Sequence, residues 1–325
     1  MKKVLITGGL GFIGFHLADY LSRAGSCDIH IADNLSRGKL DKDMKTLISK
    51  NRINFIKCDL TDKNIFSSFA KDYDYIYHLT ALVGVKNILK SPDRVLYVNS
   101  VSILNLLEWI RKTQLNLKRL LFSSTSEVYT GTLKHFTIPI PTDEKVALCL
   151  YNINSPRTTY ALSKMLGESA CYNYSKVHPI PVTIVRYHNV YGPRMGYDHV
   201  IPELMIKAKN SKKHLEVFSL NHTRAFCYVS DVVEATVALA QSKDACGEIV
   251  NVGNSDEEVS MKNLSERIIN LVNSSLSIKP AGIHEGSPYR RCPDIGKMKR
   301  LINFKPKVKL DEGLRLTWEW YKKRQ

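Results

Sequence analysis

"KVLITGGLGFIG", Lys3 to Gly14, decides how this chain is read. A β-branched, apolar run ends in glycines. The next stretch, "FIGFHLADYLSRAG", repeats its apolar positions at helical spacing and carries Gly25 as a stop. Strand, glycine-rich turn and helix in that order predict a dinucleotide cradle. Gly8 permits the tight turn, Gly11 lets the backbone approach a pyrophosphate, and Gly14 lets the helix pack on the strand. The helix N-terminus offers free N–H groups and a positive dipole end to phosphates. Asp33 closes the next strand, "DIHIAD", 19 residues beyond Gly14. A carboxylate there accepts hydrogen bonds from an adenosine ribose and repels a 2′-phosphate, so the expected cofactor is NAD. Arg37 is close enough in sequence to offer a phosphate contact instead.

Working outward, "INFIKCD", "YIYHLTA", "KRLLFSS" and "PVTIVRY" are short apolar runs with the fully buried character of parallel strands. Helical segments separate them, the best marked being "SPDRVLYVNSVSILNLLEWIRKT", with Ser91 as cap and Pro92 at the first helical position. Another runs from Tyr160 to about Lys176. After Tyr191 the strands shorten and a loop-like "YGPRMGYDH" intervenes. The predicted fold class is α/β, a Rossmann-type doubly wound parallel sheet with a smaller C-terminal substrate-binding lobe. Residues 1–190 form the NAD-binding domain, with later strand contributions around 225–245, and 191–325 are mainly the lobe.

An apolar content of 44% with 24% charged residues is that of an ordinary globular protein, and no apolar run reaches membrane-span length. "MKKVLITGG" breaks into glycines before any signal-peptide core, which predicts a cytoplasmic protein with no membrane partner. Seven scattered cysteines show no metal or redox spacing, so no metal site is expected. The net charge of +16 is spread in ones and twos without a nucleic-acid-binding signature, and it favours small anionic ligands instead.

Tyr160 and Lys164 in "YALSK" share a helix face at i and i+4, bringing an ammonium near a phenol. A free tyrosine titrates near ~10, and a nearby cation together with the positive nicotinamide ring favours the phenolate. Such a pair suits removal of a hydroxyl proton while hydride leaves to the nicotinamide.

The chain resembles the extended short-chain dehydrogenases/reductases of the NAD-dependent nucleotide-sugar epimerase/dehydratase family. The matching motifs run from Thr7 to Asp294: "TGGLGFIG", "CDLTD", "HLTA", "NSVSILNLLE", "SSTSEVY", "YALSK", "RYHNVYGPR", "TRAFCYVSD", "NVGN" and "RRCPD". The resemblance implies a cofactor site of Gly8, Gly11, Phe12, Ile13, Gly14, Asp33 and Asn34. Asp59 and Leu60 would flank the adenine, Leu79 and Ala81 would line the cleft, and Asn99 would support the active-site backbone. Thr125 would bond the sugar 4-OH beside Tyr160, and Lys164 would also hold the nicotinamide ribose. Ser126 and Glu127 complete the implied catalytic set. Val85, Thr125, Asn189, Val200, Arg224 and Arg291 would contact the nucleotide sugar, a UDP-sugar by preference. The resemblance also implies a homodimer formed through Pro92–Lys112 and Tyr160–Lys176.

Family members share C4 oxidation to a 4-keto sugar and then diverge into epimerisation, dehydration or decarboxylation. "TSE" with Glu127, "PRTTY" and "RRCPD" are similar to UDP-glucuronate decarboxylases, whereas simple 4-epimerases lack the acid. UDP-sugar 4-epimerase and 4,6-dehydratase remain alternatives. "YALSK" in place of "YDEGK", His188, and the segment from Thr130 to Arg157 depart from the decarboxylase pattern. His188 reads either as a substrate contact or as a satisfied structural histidine. A catalytically silent NAD(H)-sensing protein predicts erosion of Thr125, Tyr160 and Lys164, yet all three are present.

Overall fold

Lys2–Thr7 (β1) is an interior strand of a seven-stranded parallel sheet. The computed structural model describes every residue except Tyr151, His284, Glu285 and Gln325. The other strands are Cys27–Asp33 (β2), Asn54–Lys57 (β3), Tyr75–His78 (β4), Arg119–Thr125 (β5), Val182–Tyr187 (β6) and Ile249–Val252. Their order is β3-β2-β1-β4-β5-β6 followed by Ile249–Val252. The order reverses between β1 and β4, and ligands of open α/β sheets bind outside the strand ends at such a switch point.

Side chains alternate between two cores with the period of a strand. Val4 and Ile6 of β1, Tyr77 of β4 and Leu121 of β5 face one; Leu5, Ile76, Leu120 and Phe122 face the other. Phe12–Arg23 (α1) and Val229–Gln241 cover the first face. Pro92–Thr113 (α4) covers the second through Ile103, Leu106 and Leu107, with Thr158–Val177 (α6) packed along it. Lys42–Asn51 (α2), Val85–Lys90 (α3) and Thr130–His135 (α5) are shorter.

Three expectations shift. β3 is an edge strand whose Asn54 and Lys57 are exposed, because only β2 pairs with it. The hydroxyl of Ser91 makes no capping bond, although Pro92 does open α4. The returning strand is Ile249–Val252, later than the 225–245 window, which mostly holds the helix Val229–Gln241. A parallel strand needs a crossover before it can re-enter the sheet, and that helix supplies it. Apart from the seven-stranded sheet, Thr223–Ala225, Glu258–Ser260 and Arg290–Arg291 form a three-stranded sheet. None of the helices among the described residues is long and apolar enough to cross a membrane.

Candidate active site

The β1 and β4 strand ends open into a cleft of about 1930 Å³. Single-ligand pockets run to about 300–1,000 Å³, so this one has room for two large ligands. Gly8 (φ +69°) forms its floor, where a Cβ would lie 2.7 Å from the Thr80 nitrogen. A Cβ at Gly14 would lie 2.6 Å from the Gly8 oxygen, which explains why helix and turn can be so close. No side chain caps α1 at Gly11, so the amides around Phe12 and Ile13 remain open to a phosphate. A dinucleotide fits this cradle.

Asp33 accepts from the Leu10 amide (3.1 Å) and the Leu35 amide (2.8 Å). Burial raises its carboxyl pKa, and those two bonds oppose the rise. Arg37 reaches across the cleft to His199 (Nη2 to Nε2, 3.0 Å). Asn34 donates to Asp59 (3.1 Å), whose other oxygen accepts from Thr61, beside buried Leu60. Leu79, Ala81 and the exposed Val85 continue the wall. Asn99 lies behind it. Its oxygen accepts from the Leu82 amide (2.7 Å) and its nitrogen donates to Ser163 (3.1 Å), tying the loop after β4 to α6.

On α6, Tyr160 bonds to the hydroxyl of Thr125 at the end of β5. Burial pushes the phenol up to about 12 and Glu127 adds to the rise, while the Thr125 bond and Arg37 oppose it. The Lys164 ammonium donates to the Ser123 carbonyl (2.8 Å) and stands 5.0 Å from the Phe122 ring centre. Burial lowers it to about 8. The shared helix face therefore directs the ammonium to the backbone of β5, and the cation whose field reaches the phenol is Arg37.

Ser126 is buried at the turn after β5, and Thr125 caps that turn by accepting from the Glu127 amide (3.2 Å). Glu127 accepts from Arg291 (2.6 Å) and Thr130 (3.1 Å). Burial raises its pKa, but Arg291, the Thr130 hydroxyl and Arg224 together bring it below the ordinary value. Arg224 is tethered to Ser287 (2.5 Å) and the Pro288 carbonyl (2.8 Å), and Asn189 to the Ala225 carbonyl (3.0 Å). Val200 stands beside the cleft-lining His199 without lining the cleft itself. His188 is buried, with Nε2 bonded to Asn251 (3.0 Å).

One pairing escaped the sequence reading. Glu168 and Arg186, almost fully buried, form a forked ion pair at 2.9 and 2.6 Å behind Thr125. Two signals for it were present: Glu168 follows Tyr160 and Lys164 at i+8 and i+4, and an arginine inside the apolar strand "VTIVRY" needs a buried partner. Arg94 and Arg157 also line the cleft.

Residues 4–253 match the model of the NAD dependent epimerase/dehydratase family. The chain is 35% identical to a UDP-N-acetyl-alpha-D-glucosaminuronate decarboxylase of Bacillus cytotoxicus, over 99% of this chain and 98% of that one. It is 33% identical to UDP-glucuronic acid decarboxylase 5 of Arabidopsis thaliana, over 99% and 90%. Among solved structures it resembles a UDP-glucuronic acid 4-epimerase variant from Bacillus cereus in complex with UDP-4-deoxy-4-fluoro-glucuronic acid and NAD. That likeness has a TM-score of 0.87 and 27% identity over 99% of this chain and 100% of that one. With its parallel sheet, glycine-lined cleft and full-length relatives, this chain belongs to the NAD-dependent epimerase/dehydratase family.

Proposed function

We propose that the protein is an NAD-dependent decarboxylase of a UDP-uronic acid, with UDP-glucuronate as the preferred substrate. The observation that carries the reading is the Glu127–Arg291 ion pair (2.6 Å) beside Thr125 and Tyr160. Bound NAD supplies the acceptor, and later the donor, of a hydride at C4. The Tyr160 phenolate, which the positive nicotinamide ring would favour, accepts the 4-OH proton, and the Thr125 hydroxyl beside the phenol bonds the C4 oxygen as it becomes the ketone. Once C4 is a ketone, the C6 carboxylate is that of a β-keto acid. Its loss as CO₂ sends the C5–C6 electron pair toward the C4 oxygen, where the protonated Tyr160 and the Thr125 hydroxyl can donate. Glu127 repels a neighbouring carboxylate, and that repulsion ends when neutral CO₂ leaves. Arg291 and Arg224 bring positive charge for the nucleotide diphosphate.

Hydride return to a rotated ketone, a 4-epimerisation, is the second reading, supported by the likeness to the Bacillus cereus epimerase. The exposed Tyr97 and Leu104 on α4, with Leu166 and Tyr172 on α6, support pairing with a second copy, checked by light scattering on the eluted protein. The functional reading is tested with UDP-glucuronate, UDP-N-acetylglucosaminuronate and UDP-glucose, read by mass spectrometry and NMR. Loss of CO₂ from a uronic acid supports decarboxylation. An unchanged mass with an inverted C4 overturns it in favour of epimerisation.

A further inference from the structure

Two marked features take no part in that chemistry: the "NVGN" motif and the tyrosine that ends "SSTSEVY". The structure joins them. Tyr129 is fully buried, and its hydroxyl receives a hydrogen bond from Arg186 Nη1 (2.8 Å). It therefore passes its own proton onward, to Asn251 Oδ1 (2.8 Å). The Asn251 amide is oriented by its other end, since Nδ2 donates to the Thr142 carbonyl (3.0 Å) and the Asp294 carbonyl (3.2 Å). Because Oδ1 only accepts, His188 carries its proton on Nε2, and it is a buried structural partner of this chain.

Both ends of the chain lie at the active site. Arg186 forks onto Glu168, whose Oε1 also accepts from Ser124 (2.5 Å), the residue before Thr125. Glu168 itself is on α6 with Tyr160. At the far end, Thr142 bonds to Cys292 (2.9 Å) and to Asp294 (2.8 Å), fixing the segment that leaves Arg291. A run of hydrogen bonds thus extends from Ser124, the neighbour of Thr125 in β5, to Cys292, the neighbour of Arg291.

We propose that Tyr129 and Asn251 are positioning residues that hold these two pairs in register, so that a 4-keto intermediate made by the first is consumed at the second. The inference rests on the decarboxylase reading. Misplacement of reacting groups by about 1 Å can cost on the order of 100-fold in rate, so a small slip at Arg291 is enough.

The test is Tyr129→Phe in the NAD-loaded enzyme with UDP-glucuronate. Reduced nicotinamide is followed by near-ultraviolet absorbance, and the sugar by mass spectrometry. The variant should reduce nicotinamide within about threefold of the wild-type rate but form decarboxylated product about tenfold more slowly, with reduced nicotinamide accumulating. If reduction and product formation fall together, or neither changes, Tyr129 is only packed core and the proposal is overturned. Should Tyr129→Phe not fold, Asn251→Asp carries the same test, because it keeps Oδ1 and loses the donor to Thr142 and Asp294. A wild-type enzyme that forms no decarboxylated product from UDP-glucuronate overturns the decarboxylase reading and this proposal with it. That outcome is distinguished from the others by needing no variant.

Discussion

Replacing Lys164 by Met should expose a stability cost that the fold carries for its chemistry. The ammonium is buried, and burial lowers its pKa from 10.5 to about 8. That gap corresponds to ~3 kcal/mol of destabilisation by the charged form. Below pH 8 the lysine is protonated in both folded and unfolded chains, so the whole penalty is present at pH 7. Between pH 8 and 10.5 the folded chain has released its proton while the unfolded chain still holds one, so wild-type stability rises with pH. Above 10.5 both forms are neutral and the penalty is gone. Lys164→Met removes the charge but strands the Ser123 carbonyl, a loss of about 1–2 kcal/mol, leaving a net gain on the order of 1–2 kcal/mol at pH 7. For 325 residues the unfolding entropy is about 0.7 kcal/mol/K, so the gain is about 2–3 °C in Tm. The assay is thermal unfolding of nucleotide-free protein at half-unit steps from pH 6.5 to 10.5, a window chosen from the pKa range above. Wild type should gain ~3 kcal/mol relative to the variant across pH 8–10.5. A difference that stays flat through that window refutes the reasoning.

Three further outcomes follow from the same geometry. Glu168→Gln leaves the buried Arg186 guanidinium without its counter-charge and should cost about 3–5 kcal/mol, or roughly 4–7 °C in the same unfolding assay. Gly8→Ala forces a Cβ against the Thr80 amide at a left-handed φ, so ~2 kcal/mol of stability and most of the bound NAD should be lost, seen by calorimetry. Asp33→Asn should weaken NAD binding about tenfold and narrow its preference over NADP, measured by titration with both dinucleotides.

The Rossmann half was legible because its signals are local. A strand, three glycines, a helix and a strand-end aspartate follow one another, and parallel strands betray themselves as continuous apolar runs. β3 misled for the same reason: "INFIKCD" is apolar enough, but only the sheet order shows that it has a single neighbour. At the site, Tyr160 was readable from its spacing to Lys164 and Thr125 from the family resemblance, and the structure brings the two into contact. The i,i+4 spacing did place Lys164 on the right face, yet it could not reveal that the Ser123 carbonyl captures the ammonium. Contacts spanning long sequence separations were hidden altogether. Arg291 meets Glu127 across 164 positions, and the Tyr129–Asn251 bond crosses 122. Arg37 is close enough to Asp33 in sequence to offer a phosphate contact, and only the fold shows its chain reaching toward His199, 162 residues away.

The central claim is that carboxylate loss proceeds through a ketone at C4, with the same hydride returned. UDP-glucuronate carrying deuterium at C4 tests it most directly, with the product analysed by mass spectrometry and NMR. The account predicts a UDP-pentose lighter by CO₂ that keeps the deuterium at C4. A decarboxylated product whose C4 deuterium has been replaced by solvent hydrogen would contradict it, as would a six-carbon product.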